Sequence, residues 1–385
     1  MNNYYFDNAA TSWPKPESVY KSAENQMRNM FGNPGRSGHT RTLDADRLLY
    51  KTREALAKLF NVKDPARIVF TLNATDSLNI ALKGFLTKGS HVINTAMDHN
   101  SVLRPLGRLI KDGIITTSTI PCSKTGVPDL GVLESSYIPE TKLLIINHAS
   151  NVTGTIAPLE DMISSAHRHN VKVLVDAAQT AGTRNINVEE TGIDMLAFTG
   201  HKGLLGPTGT GGLYVKPGID LKPLREGGTG SQSELDIHPE SMPERLEAGT
   251  MNSSGLAGLS EGVNYILETG IDNIINHEHQ LREYLLKKII DLPGVNIFGP
   301  SAEDESSCII SITIDNADCG EIGYILESNY KILCRTGLHC APLAHKAIGT
   351  FPEGTIRFSP GVFTQKENID YLVDALKEIL NMINN

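Results

Sequence analysis

A chain of 385 residues, 40% hydrophobic and 21% charged, is long enough to bury one large core and a second, smaller one. Its net charge of −9, with no long run of Lys or Arg, excludes a general attraction to nucleic acid or to an anionic membrane surface and leaves a small molecule as the default partner. No apolar run approaches the roughly 20 residues that span a bilayer, and Met1-Asn2-Asn3-Tyr4-Tyr5-Phe6-Asp7 shows no basic leader before an apolar stretch, so a cytoplasmic protein is expected.

In chain order, the segment Phe6-Asp7-Asn8-Ala9-Ala10-Thr11 leads through Pro14 and Pro16 into a helix expected over 17–30. The run 32–39, Gly-Asn-Pro-Gly-Arg-Ser-Gly-His, is too rich in turn formers to be anything but a polar loop, and a loop of that kind, ending at His39, is a candidate lining for a site. A second helix is expected over 44–60. From 68 to 215 the pattern becomes strand then helix, with strands at 67–70, 91–94, 114–120, 143–146, 171–175 and 195–198 and amphipathic stretches such as 77–86 and 159–169 between them. That alternation predicts an α/β fold with a mostly parallel sheet covered by helices, and 212–215 follows so closely that it reads as an antiparallel return strand. A Gly/Ser/Pro-rich arm over 227–243 is followed by helical patterning from 256 to 290, interrupted near Gly270. Beyond Pro293-Gly294, strands at 309–314, 332–335 and 355–358 with helices at 320–329 and 366–382 describe a smaller α+β domain.

Five cysteines, an odd number with no Cys-x-x-Cys spacing, fit reduced thiols and suggest no metal site. His167 with His169, and His277 with His279, stand two apart, diverge on a helix and read as surface residues.

In an open parallel sheet the ligand lies beyond the carboxyl ends of the strands, so the residues there carry the functional argument. Asn73-Ala74-Thr75-Asp76-Ser77 opens a helix, where exposed amides and the helix dipole suit a phosphate and Thr75 adds a hydroxyl, although the same residues are also ordinary N-caps. Asp98-His99-Asn100 and a polar loop through Asn151 follow two further strands. Asp176, between Val-Leu-Val and Ala-Ala, is expected to be buried, and a buried carboxylate calls for a cation. Lys202 follows Phe198-Thr199-Gly200-His201 where a buried strand empties into a glycine-rich run, and a desolvated lysine is pushed toward the neutral amine that attacks a carbonyl. A phosphate site, a carboxylate facing a ring nitrogen and a Schiff-base lysine form the pyridoxal phosphate arrangement.

The stretches Val173-Leu174-Val175-Asp176-Ala177-Ala178-Gln179, Phe198-Thr199-Gly200-His201-Lys202, Glu247-Ala248-Gly249-Thr250 and Arg335-Thr336-Gly337-Leu338-His339-Cys340-Ala341 resemble, in order and over nearly the whole chain, the cysteine desulfurases of the aminotransferase class V group. The Arg-Thr-Gly-x-His-Cys form is similar to the SufS-type branch, which includes selenocysteine lyases. The resemblance implies the fold-type I pyridoxal phosphate architecture: a large cofactor-binding domain over 15–255 with a seven-stranded type of sheet, and a small domain made of 1–14 and 256–385 that carries the catalytic cysteine. It implies that Lys202 anchors pyridoxal 5'-phosphate, with Thr199, His201 and Thr75 on its phosphate and Thr250 reaching that phosphate from the partner of a homodimer. Asp176 would pair with the ring nitrogen, Gln179 with the ring oxygen, and Asn151 with ring oxygen or substrate. His99 would stack on the ring and take part in catalysis.

Arg357, by the same resemblance, clamps the substrate carboxylate, with His39 and Arg335 also on the substrate side, and Cys340 accepts sulfur from L-cysteine as a persulfide, leaving L-alanine. Arg335, His339 and His345 around Cys340 are cations or potential cations that suit this role. The product sulfur would pass to an acceptor protein, as in iron-sulfur cluster assembly. Selenocysteine lyase is the alternative. An aminotransferase or epimerase of the same fold would not need Cys340, and a non-catalytic scaffold would be marked by loss of Lys202, Asp176 or Cys340, all of which are present. Cys334, six positions before Cys340, is either a strand residue or a second sulfur acceptor, and Leu338 stands where many members carry a polar residue.

Overall fold

The structure is a computed structural model that describes residues 4–30, 32–35, 39–232 and 234–383; residues 36–38 of the polar loop and Ser233 of the arm lie outside the described residues. The chain opens with β1 (Tyr4–Tyr5), α1 (Glu17–Asn29) and α2 (Thr40–Phe60). It then alternates through β2 (Ile68–Thr71), α3 (Ala74–Phe85), β3 (Ser90–Thr95), α4 (Asn100–Lys111), β4 (Ile115–Ile120), α5 (Leu130–Ser135), β5 (Thr141–Asn147), α6 (Leu159–Arg168), β6 (Lys172–Asp176), α7 (Val188–Thr191), β7 (Met195–Thr199) and β8 (Gly211–Val215). The remainder comprises α8 (Ser253–Thr269), α9 (Ile271–Ile289), β9 (Val295–Phe298), β10 (Ile310–Ile314), α10 (Cys319–Tyr330), β11 (Ile332–Leu333), β12 (Arg335–Gly337), α11 (Pro342–Ile348), β13 (Thr355–Phe358) and α12 (Lys366–Ile383).

Among the described residues the large sheet has seven strands in the order β2-β8-β7-β6-β5-β3-β4. The five strands β3 to β7 pair in parallel, and β8 runs antiparallel to both β7 and β2, which makes it the expected return strand. Strands such as Leu143-Leu144-Ile145-Ile146 are apolar at every position because both faces are covered: Leu144 and Ile146 join one core, Leu143 and Ile145 the other. The chain passes from β3 outward to β4 and returns on the other side of β3 as β5, so the strand order reverses between β3 and β5. A crevice forms at the carboxyl ends there. No helix among the described residues is long and apolar enough to cross a membrane.

A four-stranded antiparallel sheet, β12-β13-β10-β9, forms the smaller layer, its core built from Phe6, Leu285, Ile312, Phe358, Leu372 and Leu376 among others. Helix α8 does not belong to that core: Leu256, Leu259, Val263 and Ile266 pack into the large one, beside α1 and α2.

The single strand expected over 332–335 is two strands in two sheets. β11 pairs in parallel with β1, the chain breaks at Cys334, and β12 joins β13. Gly354 lets this second pairing close, since its φ is +83° and a Cβ there would meet the Gly337 backbone at 2.3 Å. Three of the four surface histidines are also more engaged than expected: His167 Nε2 lies 3.0 Å from the buried Asp194 carboxylate, His169 Nε2 lies 2.8 Å from Glu134 Oε1 with its ring stacked on Tyr137, and His277 is half-buried.

Candidate active site

A cavity of about 270 Å³ lies at the carboxyl end of the large sheet. Thr75, His99, Asn151, Asp176, Gln179, Thr199, His201 and Lys202 all line it, so the strand-end residues chosen from sequence converge. At one end are Asn73, Ala74 and Thr75 at the start of α3. Asn73 Oδ1 accepts from the Asp76 N–H at 3.0 Å, so capping and cavity lining coexist at this helix end.

Asp176 ends β6 and is 4% exposed. Oδ1 accepts from the Ala178 N–H at 2.9 Å, and burial pushes the carboxyl above its ordinary range, opposed by that bond and by Lys202. Lys202 follows β7 in a turn pinned by Gly200 N–H to Thr210 O at 2.8 Å and Leu205 N–H to Lys202 O at 2.9 Å. Its ammonium is lowered to about 8, first by burial, then by the Arg357 guanidinium with a smaller push from Arg335, against the pull of Asp176 and Asp7. Burial likewise lowers His99 and His201 to about 4, so both rings are neutral at pH 7.

The polar atoms left over describe what the cavity suits. Thr199 Oγ1 and His201 Nδ1 are buried without a hydrogen-bond partner, the amides of α3 open toward the same space, and Asp176 is a buried carboxylate in want of a cation. A phosphate ester carrying an aldehyde within reach of Lys202 and a basic ring nitrogen facing Asp176 satisfies this donor set, and pyridoxal phosphate has those three features.

The amides of Gln179 and Asn151 already have partners. Gln179 Nε2 donates to Ala9 O at 3.1 Å, and Asn151 Nδ2 donates to His339 O at 2.6 Å, leaving Asn151 Oδ1 without one.

Cys340, Arg335 and Arg357 stand beside the cavity on the smaller layer. His339 and Cys340 are consecutive non-glycine residues at φ 47° and 60°. Their loop is tied to the larger layer by Asn100 N–H to Cys340 O at 2.8 Å, one residue from His99, and by the Asn151 bond to His339 O. Arg335 Nη2 donates to Cys340 Sγ at 3.3 Å. The three cations expected around this sulfur reduce to one, because burial lowers His339 to about 2 and His345 to about 4, leaving both neutral.

Arg357 is fully buried, donating to Asp7 Oδ1 at 2.7 Å and to Asn151 O at 3.0 Å, with Nε unpartnered. Cys334 is not a strand residue, since it lies in the break between β11 and β12; its thiol packs against the smaller core, and burial raises it to about 12, an environment that suits a structural residue and not a sulfur acceptor. His39 and Thr250 are not brought to the cavity of their own chain. Both are exposed, His39 at the head of α2 and Thr250 with its hydroxyl accepting from Asn33 Nδ2 at 3.4 Å.

Sequence reasoning missed three residues. Asp7, the partner of Arg357, stood in a quoted segment without a role. Asp98 is fully buried, with Oδ2 accepting from the Thr95 N–H at 2.8 Å and Oδ1 unpartnered. Ser101 bridges His99 and Thr75. Asp98 and Ser101 flank His99 and were open to notice; the Asp7 pairing spans 350 residues and carries no local signal.

A profile of the aminotransferase class-V family matches residues 4–372. A protein of Methanothermobacter thermautotrophicus named probable cysteine desulfurase is 32% identical over 391 residues, covering 99% of this chain and 96% of its own. Among solved structures, the apo cysteine desulfurase of Thermococcus onnurineus has a TM-score of 0.92 at 31% identity, over 98% of this chain and 95% of that one. The Escherichia coli cysteine desulfurase CsdA, in an S-sulfonic acid form, has a TM-score of 0.89 at 28% identity, over 99% and 95%.

Proposed function

The chain belongs to the aminotransferase class-V family, and from that premise we propose that it is a pyridoxal phosphate-dependent cysteine desulfurase that converts L-cysteine to L-alanine while Cys340 keeps the sulfur as a persulfide. The observation that carries this reading is the anchored thiol: Cys340 is held against Arg335 and bonded through its carbonyl to the residue after His99, and His99 itself lines a cavity with the donor set of a pyridoxal phosphate site. An aminotransferase or epimerase has no use for such a sulfur.

Lys202 would anchor the cofactor, Asp176 would hold its ring nitrogen protonated, and Thr75, Thr199 and His201 would receive the phosphate. His99 would stack on the ring, with Gln179 and Asn151 beside it. When bound, the cofactor withdraws electrons from the substrate α-carbon. Lys202 Nζ, neutral once the substrate has displaced it, moves the α-proton. Arg357, whose Nη1 and Nη2 bond Asn151 O and Asp7, would meet the substrate carboxylate through Nε, the one guanidinium nitrogen without a partner. Cys340 Sγ forms a bond to the substrate sulfur as the Cβ–S bond breaks with its electron pair left on carbon, and that carbon takes a proton to become the alanine methyl.

His39 and Thr250, exposed and away from the cavity of their own chain, fit a homodimer in which each reaches the partner's site. A cytoplasmic enzyme handing sulfane sulfur to an acceptor protein for iron-sulfur cluster assembly completes the reading. The packing of α8 into the large core favours drawing the boundary between the two units near Gly270, between α8 and α9, over the expected one at residue 256.

Purified protein given pyridoxal phosphate should turn yellow and be bleached by borohydride. It should release alanine from cysteine, with the added sulfur on Cys340 by mass spectrometry after one turnover. A colourless protein refutes the cofactor reading, full turnover by Cys340→Ala refutes the persulfide, and a large preference for selenocysteine makes the enzyme a selenocysteine lyase.

A further inference from the structure

Helix α4 is capped in an unusual way. The Ser, Thr, Asp or Asn side chain common at a helix N-cap is replaced by the ring of His99, whose Nδ1 accepts from the Ser101 N–H at 3.0 Å. A backbone N–H only donates, so Nδ1 must present its lone pair, and the proton of the neutral ring must sit on Nε2. A second contact converges on the same nitrogen, Ser101 Oγ at 2.9 Å. That hydroxyl also lies 2.7 Å from Thr75 Oγ1, at the head of α3. Ser101 is 9% exposed, so its hydroxyl has little water to turn to.

We propose that Ser101 is a positioning residue for the reaction: its hydroxyl holds the His99 ring with the proton on Nε2 and joins that ring to the phosphate-binding end of α3 through Thr75. Two hydroxyl protons serve this chain. In the arrangement that uses both, Thr75 donates to Ser101 and Ser101 donates to Nδ1. Protonation of Nδ1 would set its N–H against the Ser101 N–H and break the cap, so the network opposes a charged ring. The surrounding charges act in the same direction: Arg104 from α4 itself, Lys202 from the turn after β7, Arg335 from β12 and Arg357 from β13. The carboxylates nearby are Asp98, the preceding residue, and Asp176 in the same cavity. Removing the hydroxyl thus removes one acceptor contact from the ring and one partner from Thr75, while the backbone cap remains.

The proposal rests on the pyridoxal phosphate reading only for its kinetic arm, so the first measurement uses cofactor-free protein. Nitrogen-15 spectra of histidine-labelled protein, with His99 assigned from a His99→Gln sample, should show the Nε2–H form in the parent. In Ser101→Ala they should show a displaced Nδ1 signal and a titration midpoint higher by roughly one pH unit. Ser101→Thr, which keeps the hydroxyl, should restore both. In the second arm Ser101→Ala should bind pyridoxal phosphate roughly two- to tenfold more weakly. It should also lower kcat for alanine release more than it changes KM, and Ser101→Thr should recover both.

Identical nitrogen shifts and midpoint in parent and Ser101→Ala would overturn the proposal, as would a Ser101→Thr protein of parental melting temperature that recovers neither. A parent that never takes up the cofactor sinks the enzymatic reading instead, and the tautomer result still decides the hydrogen-bond role.

Discussion

On the proposed anchoring role, the raised acidity of the Lys202 ammonium sets how fast the protein can be loaded with cofactor. Only the neutral amine attacks an aldehyde. With the ammonium at about 8, about one tenth of Lys202 is neutral at pH 7, whereas at the ordinary value of 10.5 only about three parts in ten thousand would be. Burial beside the Arg357 and Arg335 cations thus raises the neutral-amine population roughly 300-fold at neutral pH. Cofactor-free protein mixed with pyridoxal phosphate in a stopped-flow spectrometer should colour at a rate that climbs about tenfold per pH unit up to about pH 8 and then levels. A rate that keeps climbing to pH 10 would show a solvated lysine and refute the electrostatic argument. The same depression has a consequence for stability: between pH 8 and 10.5 the unfolded chain holds the Lys202 proton more tightly than the folded one, so this group adds stability as pH rises through that window.

Asp7→Ala leaves the fully buried Arg357 without its carboxylate and should cost about 3 kcal/mol in urea unfolding, with Asp7→Asn costing less. Asp98 has its carboxyl raised to about 7, chiefly by burial; the folded state then holds the extra proton between about pH 4 and 7, and stability falls as pH rises across that range. Asp98→Asn should flatten part of that slope and gain up to about 4 kcal/mol at pH 8 while changing little at pH 4. Glu278, also raised to about 7, keeps the remainder of the slope. Cys334→Ala should leave alanine release and the Cys340 persulfide intact, and loss of either would return Cys334 to the sulfur path.

The large sheet was legible because its central strands, such as β5, β6 and β7, are buried on both faces and read as largely apolar runs, and because each run ends abruptly in polar residues. Asp176 and Lys202 stood out for that reason: a charge at the lip of a buried strand is conspicuous in one dimension. The smaller layer was less legible. β1 and β11, two residues each, are too short to show any period, and they exist only because each supplies the other's backbone partners across the chain. The pairing of Asp7 with Arg357 and the break at Cys334 are tertiary facts of the same kind. The cationic reading of His339 and His345 failed for a further reason, since residue type gives the capacity for charge, whereas burial decides whether the charge is held.

On the proposed persulfide role, the placement of Cys340 on a loop has a chemical reason. The groups proposed to hold the cofactor sit on strand ends and helix heads of one sheet, where packing fixes them. A nucleophile that first meets a substrate inside the cavity and then offers a persulfide to a second protein is better carried by a loop. Holding His339 and Cys340 in the left-handed region costs roughly 1–2 kcal/mol each. Against this stand the bonds from Asn100 and Asn151, the His339 contact with Thr355 Oγ1 at 3.0 Å and the Ala341 N–H to Leu338 O at 2.9 Å, each contributing about 1 kcal/mol net. The two sums are of similar size, so these four bonds offset the backbone strain at His339 and Cys340 and hold the loop against the larger layer.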